Sequence, residues 1–470
     1  MPRFTHPGAG QVFYFVLTDR FANGSTANDD GGIAGGPEVS GFDPSRIGYY
    51  HGGDLAGLTA RLDYIKGLGA TTVWVTPPFV NKPMQLGSAG YHGYWILDFL
   101  HVDPHLGTDA EFKEFVAQAH ARGLKVCLDI VINHTADVIK YEGGRTDYIP
   151  RNQAPYRDAQ GRAFDLGAVA YNGLGSPAAF PVLSAARSFA YVPVVPPDEA
   201  RAKNPAWLND PVYYHNRGNS LFKDESALDG DFVGLDDVMT ENPAVVRGFI
   251  DLYQHWIDDF GVDGSRIDTV RHVNREFWQA FAPALREHAR LAGKPGFIQF
   301  GEVANGTGDV GLLSEFSTTA PLDATLDFGF MGAALAYVSE GKNAEVLTGL
   351  LRRTTCTPTT TAMSRRPRPF SATTTPVVSL IFSSATIPRP RRPSSPGWWS
   401  SATPCSFWCA ASPSSIMVTS RAWSVAAAMT CRRARTCSPP GRPISKMPPA
   451  LAPRAPGPMT SSIRSIRSTG

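Results

Sequence analysis

The chain has 470 residues, 43% hydrophobic and 18% charged, so it can bury a sizeable core and global disorder is excluded. No apolar run reaches the roughly 18 residues of a membrane-spanning helix, and the N-terminus lacks the layout of a signal peptide, so we expect no membrane span. The formal net charge of +2 hides a sharp division of the chain into an acidic part and a basic part.

The acidic part opens with alternating predicted strands and helices. Three apolar runs predict buried strands, at residues 11–19, 71–77 and 125–133. Helical periodicity lies between these runs, near residues 54–67 and 109–122. This alternation favours a parallel sheet that is covered by helices.

Residues 135–240 break the alternation, because they are rich in Gly, Pro, Asn and Tyr and too long for a structureless loop. We therefore predict an inserted subdomain there, after the third strand. The alternation then resumes, with predicted elements at helix 243–260, strand 262–268, helix 274–290, strand 297–303, strand 323–328 and helix 331–351. The chain thus contains about six βα units, whereas a (β/α)8 barrel needs eight. The prediction is an incomplete (β/α)8 barrel, with residues 1–134 as its first half and residues 241–352 as its continuation.

Residues 353–470 have a different composition. They contain 16 Lys and Arg and no Asp or Glu, whereas residues 1–352 contain the other 28 basic residues and all 42 acidic ones. Ser, Thr and Pro make up 55 of these 118 residues. Five of the six cysteines also lie there, at spacings that fit no zinc, haem or disulfide pattern: Cys356, Cys405, Cys409, Cys431 and Cys437.

Three interpretations of this tail compete: a basic arm that binds nucleic acid, a Ser/Thr/Pro-rich linker, and a frameshifted translation. Its four tryptophans and scattered arginines argue against the first two. Codons can be chosen for residues 369–379 that, read from the third base, encode FLGNHDTGRF, and codons for residues 406–423 that encode LLVRGIPVVYYGDEQGL. The shifted codons that begin in Trp408 and Met417 are forced, and both give the residue that the shifted peptide needs. We therefore predict a frameshifted, disordered tail and no nucleic-acid partner.

Polar motifs end several predicted strands: DIVINH at 129–134, GSRID at 264–268 and FGE at 300–302, with YHGYW in the loop at 91–95. In a βα barrel the C-terminal strand ends carry the catalytic residues. Asp268 and Glu302 follow successive strands and should therefore face the same mouth. Paired carboxylates at one mouth suit glycoside cleavage, in which one acts as nucleophile and the other as proton donor. A single polar strand end, by contrast, is more often a satisfied core group.

The motifs DIVINH, GSRIDTVRH and FGEV resemble the first three sequence regions of the α-amylase superfamily, glycoside hydrolase family thirteen, over most of residues 11–345. The resemblance implies a retaining (β/α)8-barrel enzyme that acts on α-linked glucans. It implies that Asp268 is the nucleophile, Glu302 the acid/base, and Arg266 the cation that keeps Asp268 ionised. The sugar at the cleavage site would be held by His92, Tyr94, His134 and His272. One departure is Ser265, which replaces the usual aromatic residue after the glycine.

The fourth region of that family, which ends in Asn-His-Asp on the seventh strand, is missing. No His-Asp pair follows residue 351, although the shifted peptide from residues 369–379 supplies NHD. We therefore expect a gene for a whole α-1,4-glucan hydrolase and a chain that is inactive as written. A cyclodextrin glucanotransferase-like transglycosylase, a non-catalytic glucan-binding remnant and an unfolded product are the alternatives. The sequence leaves oligomeric state and localisation open.

The same resemblance implies calcium, a cation that takes six to eight oxygen ligands. One implied site, between barrel and insert, consists of Asn133, Asp237 and the backbone of His272. A second resembles a site of cyclodextrin glucanotransferases and neopullulanase-like members, and would use Asn23, Asn28, Asp29, Gly52 and Asp54. Ser25 stands where an acidic or amide ligand is common, and the competing interpretation of this loop is an Asn/Gly-rich turn capped by its own side chains.

Overall fold

The computed structural model describes residues 8, 10–173, 179–304, 309–355 and 380–381. Its main sheet has seven parallel strands, ordered β6-β5-β4-β3-β2-β1-β7. The strands are β1 (Phe13–Val16), β2 (Thr72–Val75), β3 (Lys125–Ile130), β4 (Gly264–Ile267), β5 (Ile298–Gly301), β6 (Ala324–Thr325) and β7 (Leu380–Ile381). Strands β1 to β6 lie side by side in chain order, which is the order of a βα barrel. Within the described residues β6 and β7 have no common partner, so the barrel sheet is open there.

Strand β7 lies within residues 353–470, which the sequence predicts as a disordered tail. Its two residues pair with β1, Leu380 with Phe13 and Ile381 with Tyr14. The rest of the predicted tail, from residue 356 to 379 and from 382 to 470, lies outside the described residues, as do its cysteines.

Eight helices accompany the strands: α1 (Leu55–Ala60), α2 (Leu62–Gly67), α3 (Asp109–Ala121), α4 (Pro243–Phe260), α5 (Arg275–Leu291), α6 (Val310–Thr318), α7 (Phe328–Val338) and α8 (Glu345–Thr355). Helix α3 begins with a capping box in which Thr108 and Glu111 bond each other's backbone N–H. Helix α4 begins with the side-chain cap of Asn242 and ends at Gly261, whose φ of 71° suits glycine. None of the described helices is long and apolar enough to cross a membrane.

The helix predicted near 54–67 is two short helices, α1 and α2, and three other local features were also not predicted. The single helix predicted over 331–351 is two helices, because Gly341 adopts a φ of 65° between them and the Asn343 side chain caps the second. Helix α6 was not predicted, and neither was the antiparallel pair Phe79–Asn81 with Ile96–Val102. All three features depend on short segments whose periodicity is too brief to read.

The barrel interior is aromatic at its base and charged at its mouth. Phe13 on β1 contacts Phe300 on β5, with ring centroids 5.3 Å apart, and Trp74 on β2 lies 5.6 Å from the same ring. Contacts between strands that are not neighbours show that these side chains fill the interior. Since side chains alternate along a strand, Glu302 points to the same side as Phe300, nearer the C-terminal end.

The described residues of 135–240 form only short elements. Strand Lys140–Tyr141 pairs with Pro193–Val194, and the helical turns are Glu142–Gly144, Leu166–Val169, Ala206–Asn209, Pro211–Tyr213 and Ser226–Asp229. The Val238 N–H donates to the Asn133 carbonyl (2.9 Å), which ties the end of the insert to the end of β3. Outside the insert, the remaining short elements are Thr18–Arg20, Pro37–Ser40, Met84–Gln85, Ser88–Ala89 and Val270–His272. The predicted domain boundaries stay a prediction.

Candidate active site

The two predicted catalytic carboxyl groups emerge side by side from β4 and β5. Ile267 is in register with Gly301, so Asp268 and Glu302 both follow directly beyond the paired strands. Their backbones are held by the neighbouring strands, because the Asp268 N–H donates to Ile130 and the Glu302 N–H to Ile267, each at 2.8 Å. The prediction that both face one mouth thus agrees with the geometry of the sheet.

Arg266 joins the two carboxyl groups. Its Nη1 lies 2.9 Å from Asp268 Oδ1, and its Nη2 lies 2.8 Å from Glu302 Oε2. All three side chains are almost fully buried, with side-chain exposures of 4% for Arg266, 0% for Asp268 and 8% for Glu302. Charge-assisted hydrogen bonds of this length fix the orientation of both carboxyl groups.

The surroundings of Glu302 favour its protonated form. Burial raises the pKa of Glu302, the neighbouring Asp268 carboxylate raises it further, and the Arg266 guanidinium opposes both. The Thr269 backbone N–H, from a residue in the left-handed conformation (φ 48°), donates to Glu302 Oε2 at 3.3 Å and lowers this pKa. A carboxyl group whose pKa is raised keeps its proton to higher pH and can donate it to a leaving group.

Three of the four predicted substrate-binding side chains surround one another. The Tyr94 backbone N–H donates to His92 Nδ1 (3.1 Å), and His134 Nε2 donates to the Tyr94 carbonyl (3.3 Å). The rings of His92 and Tyr94 are stacked, with centroids 5.7 Å apart. Gly93 makes this turn possible, because its φ is 87° and a Cβ there would lie 2.2 Å from the Pro77 carbonyl oxygen.

His272 lies in the turn after β4 and contacts the insert. Its Nδ1 donates to the Ala227 carbonyl (2.8 Å), and its ring meets the Phe232 ring edge-on at 5.3 Å. The Phe232 ring is also stacked with the His134 ring, with centroids 5.5 Å apart. Burial lowers the pKa of His272, so its imidazole is neutral near pH 7 and can bond a hydroxyl group.

Two residues of the site received no role from the sequence. Asp129 binds Arg266 Nη1 through Oδ1 (2.8 Å), and its Oδ2 accepts hydrogen bonds from Tyr94 Oη (2.9 Å) and Trp74 Nε1 (3.1 Å). Asp129 is the first residue of the DIVINH motif, so its position in that motif was the available signal. Trp74 lies in an apolar strand and carried no such signal.

The first predicted calcium group is partly assembled. Asn133 and Asp237 lie next to each other, because His134 forms an antiparallel bridge with Asp237. Burial raises the pKa of Asp237 well above its usual range, although His215 beside it opposes this. A buried carboxylate and an amide oxygen are ligands that suit a hard cation, although His215 already pairs with this carboxylate. His272 contacts Phe232 and Ala227, and the structure does not show its backbone joining this pair.

The second predicted calcium group is brought together in the first loop. Asp54 accepts the backbone N–H groups of Gly24 and Ser25, at 2.9 and 2.8 Å, and Asn23 donates to Asp29 Oδ1 at 2.7 Å. Gly52 lies against the Asp29 side chain, and a Cβ at this position would be only 2.5 Å from Asp29 Oδ1.

This loop is capped by its own side chains, as the competing interpretation expects, and it also holds one buried oxygen that suits a cation. Asn28 donates its amide to the His105 carbonyl, while its Oδ1 is buried with no hydrogen-bond partner among the described residues. Such an orphaned oxygen fits a cation ligand. Burial and the nearby Asp54 raise the pKa of Asp29, which a cation would reverse.

A further cluster has donor atoms at metal-binding spacing: His215, Asp229 and Glu241. His215 lies between two carboxylates, with Nδ1 2.6 Å from Asp237 Oδ2 and Nε2 3.0 Å from Glu241 Oε2. Burial opposes its charge, but Glu241 and Asp237 outweigh burial and raise the pKa of His215 to about 10. Asp229 is meanwhile bound by Arg151 at 2.6 Å. A doubly protonated imidazole offers no lone pair to a metal, so we interpret this cluster as an ion-pair network.

Two buried carboxyl groups at the C-terminal ends of adjacent parallel barrel strands, joined by one arginine, are an arrangement that suits glycoside cleavage. Comparison with known families agrees. The model of the α-amylase catalytic domain matches residues 15–365. The chain therefore belongs to the α-amylase family, glycoside hydrolase family thirteen, whose catalytic domain is a (β/α)8 barrel, and its described residues form an open part of that barrel, as the prediction of an incomplete barrel expected.

Curated relatives support this assignment. The chain is 47% identical to an α-amylase of Streptomyces lividans over 313 residues, which are 66% of this chain and 33% of that protein. It is 30% identical to a cyclomaltodextrin glucanotransferase of Klebsiella oxytoca over 330 residues, 68% of this chain and 42% of that enzyme. The chain thus spans less than half the length of either relative.

Solved structures give the same fold. An Anoxybacillus α-amylase superposes with a TM-score of 0.51 at 29% identity, over 74% of this chain and 59% of that one. The cyclomaltodextrin glucanotransferase CldA superposes with a TM-score of 0.53 at 28% identity, over 74% of this chain and 61% of that one.

Proposed function

We propose that this chain derives from a retaining α-glucan hydrolase that cleaves α-1,4-glucosidic bonds of starch and maltodextrins. The observation that carries the proposal is the Arg266 guanidinium, which holds Asp268 and Glu302 together at the mouth of the sheet. The 47% identity to an α-amylase supports the substrate class.

The surroundings of Asp268 and of Glu302 assign each carboxyl group a step in the cleavage reaction. Asp268, paired with Arg266, attacks the anomeric carbon, while Glu302 gives its proton to the leaving glycosidic oxygen. The covalent glycosyl ester is then broken by water, whose proton returns to Glu302. Tyr94, His92, His134 and His272 would hold the sugar at this position, as the family resemblance implies, and the Tyr94 hydroxyl lies 3.3 Å from Arg266 Nη1 beside the two carboxyl groups.

A second candidate is transglycosylation, in which a sugar hydroxyl replaces water in the last step. The 30% identity to a cyclomaltodextrin glucanotransferase supports it. The two reactions are separated by their products. Hydrolysis gives linear maltooligosaccharides, whereas transfer to the free end of the same glucan molecule gives cyclodextrins.

We also propose that the chain as written does not turn over starch, because the family's third acid is absent from its sequence. One preorganised electrostatic group contributes about 10²–10³ in rate. The test compares starch hydrolysis by the 470-residue chain with that of a frame-restored protein, in which the reading frame is corrected near codon 352. We expect activity only in the frame-restored protein. Robust activity of the written chain would contradict the proposal, and binding of starch without cleavage by both proteins would support a glucan-binding remnant.

Calcium is the cofactor that we propose. Asn133 and Asp237 would hold one ion between barrel and insert, with His272 as a further ligand. Asn23, Asn28, Asp29, Gly52 and Asp54 would hold a second in the first loop. When bound, the ions supply positive charge to buried oxygens and take no part in bond cleavage.

A further inference from the structure

Three carboxyl groups share the single guanidinium of Arg266. Asp268 and Glu302 lie beyond the ends of their strands, but Asp129 is within β3 and in register with Arg266 itself. Asp129 therefore lies two residues deeper in the barrel than the catalytic pair, and its exposed fraction is 0%. A sugar at the mouth meets Asp268 and Glu302 before it could reach Asp129.

Both oxygens of Asp129 accept hydrogen bonds. Arg266 donates to Oδ1, and Tyr94 and Trp74 donate to Oδ2. The indole N–H of Trp74 can only donate a hydrogen bond, so Asp129 Oδ2 must act as its acceptor. Arg266 and Tyr94 favour the ionised form of this carboxyl group, whereas burial and Asp268 oppose it and raise its pKa to about 7, so above that pH Asp129 places a negative charge beside Arg266.

We propose that Asp129 is a positioning residue that neutralises part of the Arg266 charge from the neighbouring strand and holds the Tyr94 side chain. As a result, the guanidinium does not keep Asp268 and Glu302 ionised together. This inference rests on the proposed function, because it assigns Glu302 the task of proton donor. With all three carboxyl groups ionised, one guanidinium would face three negative charges in a buried site. A charge on Asp129 therefore leaves Glu302 as the group that retains a proton.

Few titratable groups lie around Asp129 and Glu302, so a shift in the titration of Glu302 can be assigned to a change at Asp129. Burial raises the pKa of Asp129 to about 7, while Arg266 lowers it and Asp268 raises it. The titratable and charged groups facing Asp129 or Glu302 are Cys127 from β3, Arg266 and Asp268 from β4, Tyr94 from its loop and Tyr253 from α4. Trp74 faces Asp129 from β2 and does not titrate.

The test uses the full 470-residue chain and follows the protonated carboxyl band by infrared difference spectroscopy against pH. The Glu302→Gln variant identifies which part of the band belongs to Glu302. In Asp129→Asn the Arg266 charge is no longer neutralised, so the midpoint of the Glu302 titration should fall by about 1–3 pH units. A loss of packing alone would lower the melting temperature without moving this midpoint. An unchanged midpoint in a folded Asp129→Asn variant overturns the proposal.

A second variant decides the question if Asp129→Asn does not fold. Trp74→Phe removes one donor from Asp129 and keeps an aromatic ring in the strand, so the Glu302 midpoint should fall in the same direction by a smaller amount. Trp256→Phe is the matched control, because Trp256 is equally buried but donates to the Phe99 carbonyl. Equal midpoints in Trp74→Phe and Trp256→Phe would also overturn the proposal.

The infrared measurement needs no turnover, which separates the two claims. If the frame-restored protein fails to cleave starch, the proposed function is contradicted while the Asp129 result stands. If the frame-restored protein is active, the same variant should shift both limbs of its pH–rate profile to lower pH, because Asp268 and Glu302 are then both exposed to the full Arg266 charge.

Discussion

Two buried clusters, one in the barrel and one in the insert, surround a single cation with carboxyl groups. The barrel cluster places Asp129, Asp268 and Glu302 around Arg266, and the insert cluster places His215 between Asp237 and Glu241. In the barrel the negative groups outnumber the cation by two, and in the insert by one. A proton retained on one carboxyl group would offset one of the two excess charges in the barrel, and the calcium ion proposed at Asp237 would offset the excess in the insert. Under the proposed function, the same kind of contact supports proton transfer in one region and stability in the other.

The sharpest test of this comparison is to remove the charge of the nucleophile. Asp268→Asn in the frame-restored protein should lower kcat on starch by at least about 10³-fold, since an amide cannot form the glycosyl ester. Starch hydrolysis and thermal unfolding are measured together. The matched change in the insert, Glu241→Gln, should lower the melting temperature and leave kcat of the folded protein within about threefold. A large loss of kcat in Glu241→Gln would break the division between the clusters.

The second test concerns the proton donor. Glu302→Gln should lower kcat on starch by about 10²–10⁴-fold, because the leaving oxygen receives no proton. Aryl glycosides with activated leaving groups should keep their first step, which is measured as a burst of released phenol. The alkaline limb of the pH–rate profile, where wild-type Glu302 loses its raised-pKa proton and activity falls, should disappear for those substrates. Equal losses on starch and activated substrates would remove Glu302 from this role.

A third experiment addresses the insert cluster. His215→Gln leaves two buried carboxylates without their shared cation, so unfolding free energy should fall by about 3–5 kcal/mol. The control is His120→Gln, because His120 pairs with Asp263 at a half-exposed position and such pairs contribute about 0–1 kcal/mol. Urea titration measures both. Similar losses in the two variants would mean that the insert cluster is not a structural ion-pair network.

The smallest expected effect is that of calcium. A ligand that binds only the folded state at about 100 times its Kd stabilises by about 2.7 kcal/mol, so excess chelator should lower the melting temperature by a few degrees. The Asp237→Asn and Asn28→Ala variants should each remove part of this response, since they disrupt different groups. A melt that chelator leaves unchanged in the 470-residue chain and in the frame-restored protein would count against both sites.

The sequence by itself determined the alternation of strands and helices and the positions of Arg266, Asp268 and Glu302 at strand ends. These follow from local periodicity and from short motifs, because burial of a strand or a helix face imposes a regular pattern on neighbouring residues. The same pattern predicted helix α4 over its full length. Periodicity did not reveal the break at Gly341, where a single backbone conformation ends one helix before the next begins.

Only the tertiary structure decided which buried polar groups meet. Asp129 and Arg266 are 137 residues apart in the chain, and Lys203, which is buried against Asp236, is 33 residues from its partner. A buried charge must be paired, but any opposite charge satisfies that requirement, so the sequence leaves the choice of partner open. The parallel register of β3 and β4 made that choice for Asp129, because it places the carboxyl group directly beside the guanidinium.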